Sequence, residues 1–204
     1  MAVDIDLDAL AKKRTFHGSD KFIISCGTVT IDPKVGKVLL IYNSRYNIYQ
    51  LPKGRKNIGE DWLTCALRET FEESGVKPSP LPLKVDTRAT PAKGHTAQVQ
   101  LTTDIFNTEP IAQCTFPDPI SNCWKTVFWF VATGDSAAPQ AKGTQEDWEK
   151  FETVWKPAAE AVELLRFADD GDTVLRAIEL VKRSGVDIAN TDNLHHDLGG
   201  GIKC

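Results

Sequence analysis

The chain has 204 residues, 41% hydrophobic and 25% charged, which is enough for one full core and ordinary for a globular domain. The formal net charge of −4 gives no global positive field for nucleic acid or a membrane surface, so an anionic ligand must meet a local patch of cations. No run approaches about eighteen consecutive apolar residues, so a membrane-spanning helix is not expected.

Residues 1–20 read as a polar, partly helical lead-in. The stretch opens on acids and has no long apolar segment, so it does not resemble a secretory leader. FIISCGTVTID (22–32) is rich in β-formers, and KVLLIYN (37–43) follows the turn residues Asp32, Pro33 and Gly36, which predicts a hairpin. NIYQLPKG (47–54) reads as a short strand running into a loop. Residues 60–74 carry a helical pattern. A Pro-rich connection (78–94) precedes AQVQLTT (97–103), whose alternation fits a strand. Residues 106–123 form a long, Pro-broken insertion of the kind that often shapes a binding site.

WKTVFWFVATG (124–134) is the most apolar strand candidate and is expected at the centre of a sheet. Residues 134–147 read as a flexible loop and FETVWKP (151–157) as the last strand. AAEAVELL comes next, and then an amphipathic helix over 172–185 that Gly185 ends. The remainder is polar and Gly-rich. The expected organisation is a lead-in (1–20), one domain (21–185) and a loose tail (186–204). Strands, a helix, more strands and a terminal helix imply an α+β layered fold. The five cysteines (Cys26, Cys65, Cys114, Cys123 and Cys204) show no C-x-x-C spacing, so reduced thiols and a cytoplasmic location are expected. Cys26 and Cys65 sit in apolar runs and are expected in the core.

The chemistry concentrates in residues 54–76, GRKNIGEDWLTCALRETFEESGV. At about 100° per residue, Leu63, Ala66, Leu67, Thr70, Phe71 and Ser74 share one arc of the helix, the core side. Glu69, Glu72 and Glu73 stand at i, i+3 and i+4 on another arc, about 140° away, and are expected to point away from the core. Crowded carboxylates repel one another, and a hard divalent cation with oxygen ligands relieves that repulsion. Mg²⁺ suits such a set and Mn²⁺ is an alternative. A Glu-x-x-Glu-Glu run by itself is most often a solvated acidic face. Arg68 is an i,i+4 neighbour of Glu72 and can orient its carboxylate. Gly75 stands where a left-handed cap closes a helix.

The whole window fits G-x5-E-x7-R-E-U-x-E-E-x-G-U, where U is a bulky aliphatic residue, and it resembles closely the box of the Nudix hydrolases. One position departs: Thr70 stands where an aliphatic residue is expected. The resemblance implies an αβα sandwich around a mixed β-sheet over roughly residues 20–185. It implies metal ligation by Glu69, Glu72, Glu73 and the Gly54 carbonyl, with one of the glutamates as the base for water. Glu69, Glu72 and Arg68 are the catalytic candidates, and Glu60 pairs structurally with Arg68. A further acid is expected from a later loop. Glu146, Asp147, Glu149 and Glu152 are candidates, Glu149 first because it shortly precedes the strand of Trp155. The reaction implied is attack of water on phosphorus in a phosphoanhydride, chemistry that a metal assists by neutralising phosphate charge.

Arg45, Lys53, Arg55 and Lys56 gather beside the box and suit a substrate with many phosphates. Lys93 and His95 are candidates to join from a facing loop. P-K-G at the start of the box is similar to hydrolases of diphosphoinositol polyphosphates and of diadenosine polyphosphates. The first substrate needs a ring of cations. The second needs an aromatic clamp for a base, for which Tyr46, Tyr49 or Trp124 are candidates. The expected partner is a polyphosphorylated small molecule, with neither a membrane nor a specific nucleic acid.

Overall fold

The computed structural model describes residues 5–90 and 104–191. Two long strands set the frame. β1 (Phe22–Asp32) and β7 (Trp124–Thr133) run parallel in continuous register from Phe22↔Trp124 to Ile31↔Thr133. Both are rich in β-branched and aromatic residues, which pack well on a pleated surface. β2 (Lys37–Asn43) meets the end of β1 through the expected hairpin, then pairs antiparallel with β3 (Ile48–Gln50) and β8 (Phe151–Pro157). β4 (Lys53–Arg55) pairs with the first half of β1. β5 (Ser79–Pro80) and β6 (Ala112–Pro117) both pair antiparallel with β7. The result is a mixed eight-stranded sheet.

The period of two along β1 and β7 separates two cores. Val29, Ile31, Val127, Trp129 and Val131 face one side, with Ala158 and Ala161 of α3 (Ala158–Leu164) and Val174, Ala177, Ile178 and Val181 of α4 (Ala168–Arg183). Cys26, Phe128 and Phe130 face the other, against Cys65 and Ala66 of α2 (Trp62–Ser74). Each large apolar side chain buried this way contributes about 1.5–3 kcal/mol before the entropy of ordering is counted. Helices on both faces of a mixed sheet make the α+β architecture expected from the sequence. α1 (Leu7–Lys13) buries none of its residues. Among the described residues, no helix is long and apolar enough to cross a membrane.

Four elements differ from expectation. α2 starts at Trp62 rather than 60, because the Asp61 side chain accepts from the Thr64 N–H as its N-cap. The insertion 106–123 contains β6, whose proline, Pro117, closes the strand rather than interrupting it. The loop 134–147 is not loose; it is bonded to the end of α2, as set out below. α4 begins at Ala168, with Asp169 and Asp170 in its first turn, where the positive end of the helix favours acids. The strand expected at 97–103 lies outside the described residues.

Candidate active site

α2 carries the glutamates, and its end is pinned carbonyl by carbonyl. A helix leaves its last carbonyls without partners of their own. Here Phe71 O accepts from Gly75 N–H (2.8 Å), with Gly75 in the left-handed region at φ 68. Glu72 O accepts from Thr144 Oγ1 (2.8 Å), Glu73 O from Gln145 Nε2 (2.9 Å) and Ser74 O from Thr153 Oγ1 (2.7 Å). Ala141 N–H donates to Gly75 O (2.9 Å). The loop before β8 therefore fixes the backbone from which Glu72 and Glu73 project. Thr70 also has a reason. It is buried, its hydroxyl donates to Ala66 O (2.8 Å), and Thr28 Oγ1 lies 2.7 Å away. With the Thr28–Thr30 contact (2.6 Å), this makes a hydroxyl chain tying α2 to β1, which an aliphatic residue would not provide.

One guanidinium organises the carboxylates. Arg68 Nε and Nη2 donate to the two oxygens of Glu60 (2.7 and 2.9 Å). Its Nη1 donates to Glu69 Oε1 (2.6 Å) and Glu72 Oε2 (2.7 Å), and Nη2 also reaches Arg55 O (2.9 Å). Arg68 holds the Glu60 carboxyl below the usual carboxylate range. Glu69 moves the other way: burial raises it, Arg68 opposes, and the nearby Glu72 and Glu149 charges add to the rise.

Glu73 corrects the helical-wheel reading. It does not point away from the core but is buried, and its Oε2 accepts from the Lys53 N–H at 2.7 Å. Burial pushes its carboxyl up to about 8, with the Lys53 charge opposing. Gly54, next to Lys53, makes room for Glu69. A Cβ there would lie 1.8 Å from Glu69 Oε2, so only glycine lets that carboxylate close over the strand.

Among the described residues, no three acidic, His or Cys side chains converge on a preassembled cation position. Arg68 stands between Glu69 and Glu72, and Glu73 is turned onto a backbone donor. The donor set nevertheless fits a hard divalent cation. It is all oxygen, and one guanidinium faces three carboxylates, with Glu149 in the same cleft.

The cleft has a volume of about 1070 Å³ and gathers most of the expected residues. Gly54, Arg68, Glu69, Glu72, Glu73 and Glu149 line it, as do Arg45, Lys53 and Arg55. Lys56 does not line it; its Nζ donates to Asn57 O. Of the other acid candidates, Glu146 lines the cleft and Asp147 and Glu152 do not. Tyr46 is at the rim with Arg45 stacked over its ring. Tyr49 instead packs on Tyr42, and Trp124 meets His17 edge-on. Lys93 and His95 lie outside the described residues. Sequence reasoning missed Lys125, Lys150, Ile120 and Trp148, which all line the cleft. Lys125 carried a signal, a lysine inside the most apolar strand. Trp148 stands in a loop with no pattern to mark it.

A family model described as a NUDIX domain matches residues 21–178. No curated protein matches the chain. A NUDIX hydrolase from Nitrosomonas europaea is similar at 15% identity and a TM-score of 0.50, over 86% of this chain and 97% of that one. A C. elegans Ap4A hydrolase solved as a binary complex is similar at 16% identity and a TM-score of 0.51, over 79% and 98%. Identities this low speak for the fold alone.

Proposed function

The chain belongs to the Nudix family of pyrophosphohydrolases, and from that premise we propose that it cleaves a phosphoanhydride bond in a highly phosphorylated small molecule, with diphosphoinositol polyphosphates the best match. The observation that carries this reading is the gathering of Arg45, Lys53, Arg55, Lys125 and Lys150 around one cleft, none of them in an ion pair among the described residues. A substrate without a base but with many phosphates matches such a lining.

Nudix hydrolases generally use divalent metals such as Mg²⁺. Here Glu69, Glu72, Glu73 and the Gly54 carbonyl would hold the ion, with Glu149 as a further acid and Mn²⁺ as a substitute. When bound, the ion neutralises phosphate charge and makes water a better nucleophile. The chain's own groups do the rest. Arg68 orients Glu69 and Glu72, and Glu60 braces Arg68. Glu69 or Glu72 takes the proton of the attacking water, since Glu73 is buried against Lys53 N–H. The water oxygen bonds to phosphorus, the anhydride P–O bond breaks, and the bridging oxygen leaves with the released phosphate or phosphorylated product. Lys53 and Arg55 hold phosphates beside the reacting one.

A second reading is a dinucleoside polyphosphate. Tyr46 and Trp148 favour it, two exposed aromatics on the rim of the same cleft that suit stacking on a base. The similar C. elegans fold is that of an Ap4A hydrolase. Side-by-side turnover of diphosphoinositol pentakisphosphate and diadenosine tetraphosphate with Mg²⁺ tests the choice. Preference for the inositol compound, abolished by EDTA, is expected. Preference for the dinucleotide would replace the first reading with the second.

A further inference from the structure

Strand alternation divides the cleft in a way the box does not reveal. In β4, Gly54 pairs with Cys26, whose side chain packs toward α2, so Gly54 faces the glutamates. Lys53 and Arg55 pair with Gly27 and Ser25 and so face the other side of the sheet. Lys125 of β7 is opposite Ile23 of β1, two residues before Ser25, and shares that face with Val127 and Trp129. Three cations from two strands thus lie together on the face opposite Gly54, yet line the same cleft, where the Lys53 and Lys125 charges still reach Glu73.

This grouping is costly as it stands. Lys125 is half-buried, and desolvation lowers its pKa, with the Lys53 and Arg55 charges adding to the fall. None of the three makes an ion pair among the described residues. The Asp118 and Glu73 charges ease the burden on Lys125 and the Lys53 charge reaches Asp170, but Asp118 Oδ2 is already used by the Ser121 N–H (2.9 Å) and hydroxyl (2.7 Å), and Glu73 Oε2 by the Lys53 N–H (2.7 Å). Between Arg55 and Val127 in the register lies Ser25, fully buried, with its hydroxyl unpartnered. Gly27 leaves the room: a Cβ there would stand 2.7 Å from the Lys53 Cβ and 2.5 Å from the Trp129 ring. A desolvated cation crowded by two like charges and an unmet hydroxyl call for an anion with several oxygens.

We infer that Lys125, with Lys53 and Arg55, forms a phosphate-binding floor that holds the substrate's non-reacting phosphates and makes Lys125 a specificity-determining residue. This rests on the reading of the cleft as a polyphosphate site. It divides the work between the two sheet faces: carboxylates and metal act on the phosphate that is cleaved, and the floor selects for the phosphates that are not.

The test is calorimetric binding of inorganic tripolyphosphate to the full chain in EDTA, which prevents turnover. Lys125→Met is expected to weaken binding about tenfold, the scale of one charge-assisted hydrogen bond. Lys125→Arg should stay within about twofold of the native chain, and neither variant should melt lower. Equal binding by Lys125→Met and the native chain would overturn the inference, as would an absence of tripolyphosphate binding in the native chain. Failure of the substrate reading looks different. Diphosphoinositol pentakisphosphate would survive Mg²⁺ and native enzyme while the tripolyphosphate difference persisted.

Discussion

Two ion clusters in this molecule are built with different stoichiometry. Around α2, one guanidinium, Arg68, serves three carboxylates, Glu60, Glu69 and Glu72. At the far side of the sheet the charges pair off: Asp86 accepts from two guanidiniums, Arg176 (2.6 Å) and Arg183 (2.7 Å) of α4, and Arg176 also donates to Glu179 (2.9 Å). The second cluster is satisfied. Both arginines hold the Asp86 carboxyl below its ordinary range, Arg183 first. The first is short of positive charge: burial raises the Glu69 carboxyl, and the nearby Glu72 and Glu149 charges add to the rise. A cluster that closes its own charge balance clamps a fold. One that leaves carboxylates under-neutralised at a cleft is poised for a cation and a substrate.

The most severe way to break the contrast is to remove a cleft charge while keeping its shape. Glu73→Gln retains an oxygen for the Lys53 N–H and removes a buried carboxylate. The expected outcome is a loss of about 10³-fold in kcat/KM, the scale of removing a metal ligand's charge, with an unchanged or higher melting temperature. Near-native turnover would show that the under-neutralised cluster is not the reacting one.

Arg68→Ala tests the stoichiometry itself. It leaves Glu60, Glu69 and Glu72 without their shared partner, and stability without metal should fall by about 3 kcal/mol. Added Mg²⁺ should recover part of the melting temperature, because a cation replaces the missing positive charge. Asp86→Asn should show no such response. Equal Mg²⁺ effects on the two variants would erase the distinction between a binding cluster and a structural one.

How far these clusters could be read from sequence follows from the range of the interactions. β1, β2 and β8 match their expected bounds because each is an apolar run with turn residues or a charge break at its ends, all local signals. The Gly75 cap and the Arg68–Glu72 pair are local too, each spanning four residues. Glu73 was misread because helical geometry ranks positions around an axis but does not say where the partner sheet ends. Near the end of α2 the covering comes from β4, about twenty residues earlier, and from the loop of Thr144 and Gln145, about seventy later. The Lys125 floor was hidden for the same reason. Its members share a face only through the pairing of β4 and β7 with β1, which no spacing within one segment encodes. β6 was masked by the prolines around it, although its pairing with β7 is continuous.

The smallest effect is expected at the balanced cluster, and its pH dependence gives the sharpest check. Asp86→Asn replaces two ion-pair hydrogen bonds by bonds from charged guanidiniums to a neutral amide oxygen and should cost about 1–2 kcal/mol at neutral pH. The folded carboxyl is depressed, so its contribution is fully present above the unfolded value of about 4 and is lost as pH falls through the lower folded value. The stability gap between native chain and Asp86→Asn should therefore be constant from pH 6 to 8, where the carboxylate is charged in both states. It should close below about pH 4 in denaturant titrations followed by circular dichroism. A gap that stayed undiminished down to the lowest pH at which both chains fold would mean that Asp86 acts through its shape and not its charge. The two guanidiniums would then be packing elements, and the contrast with Arg68 would rest on the cleft alone.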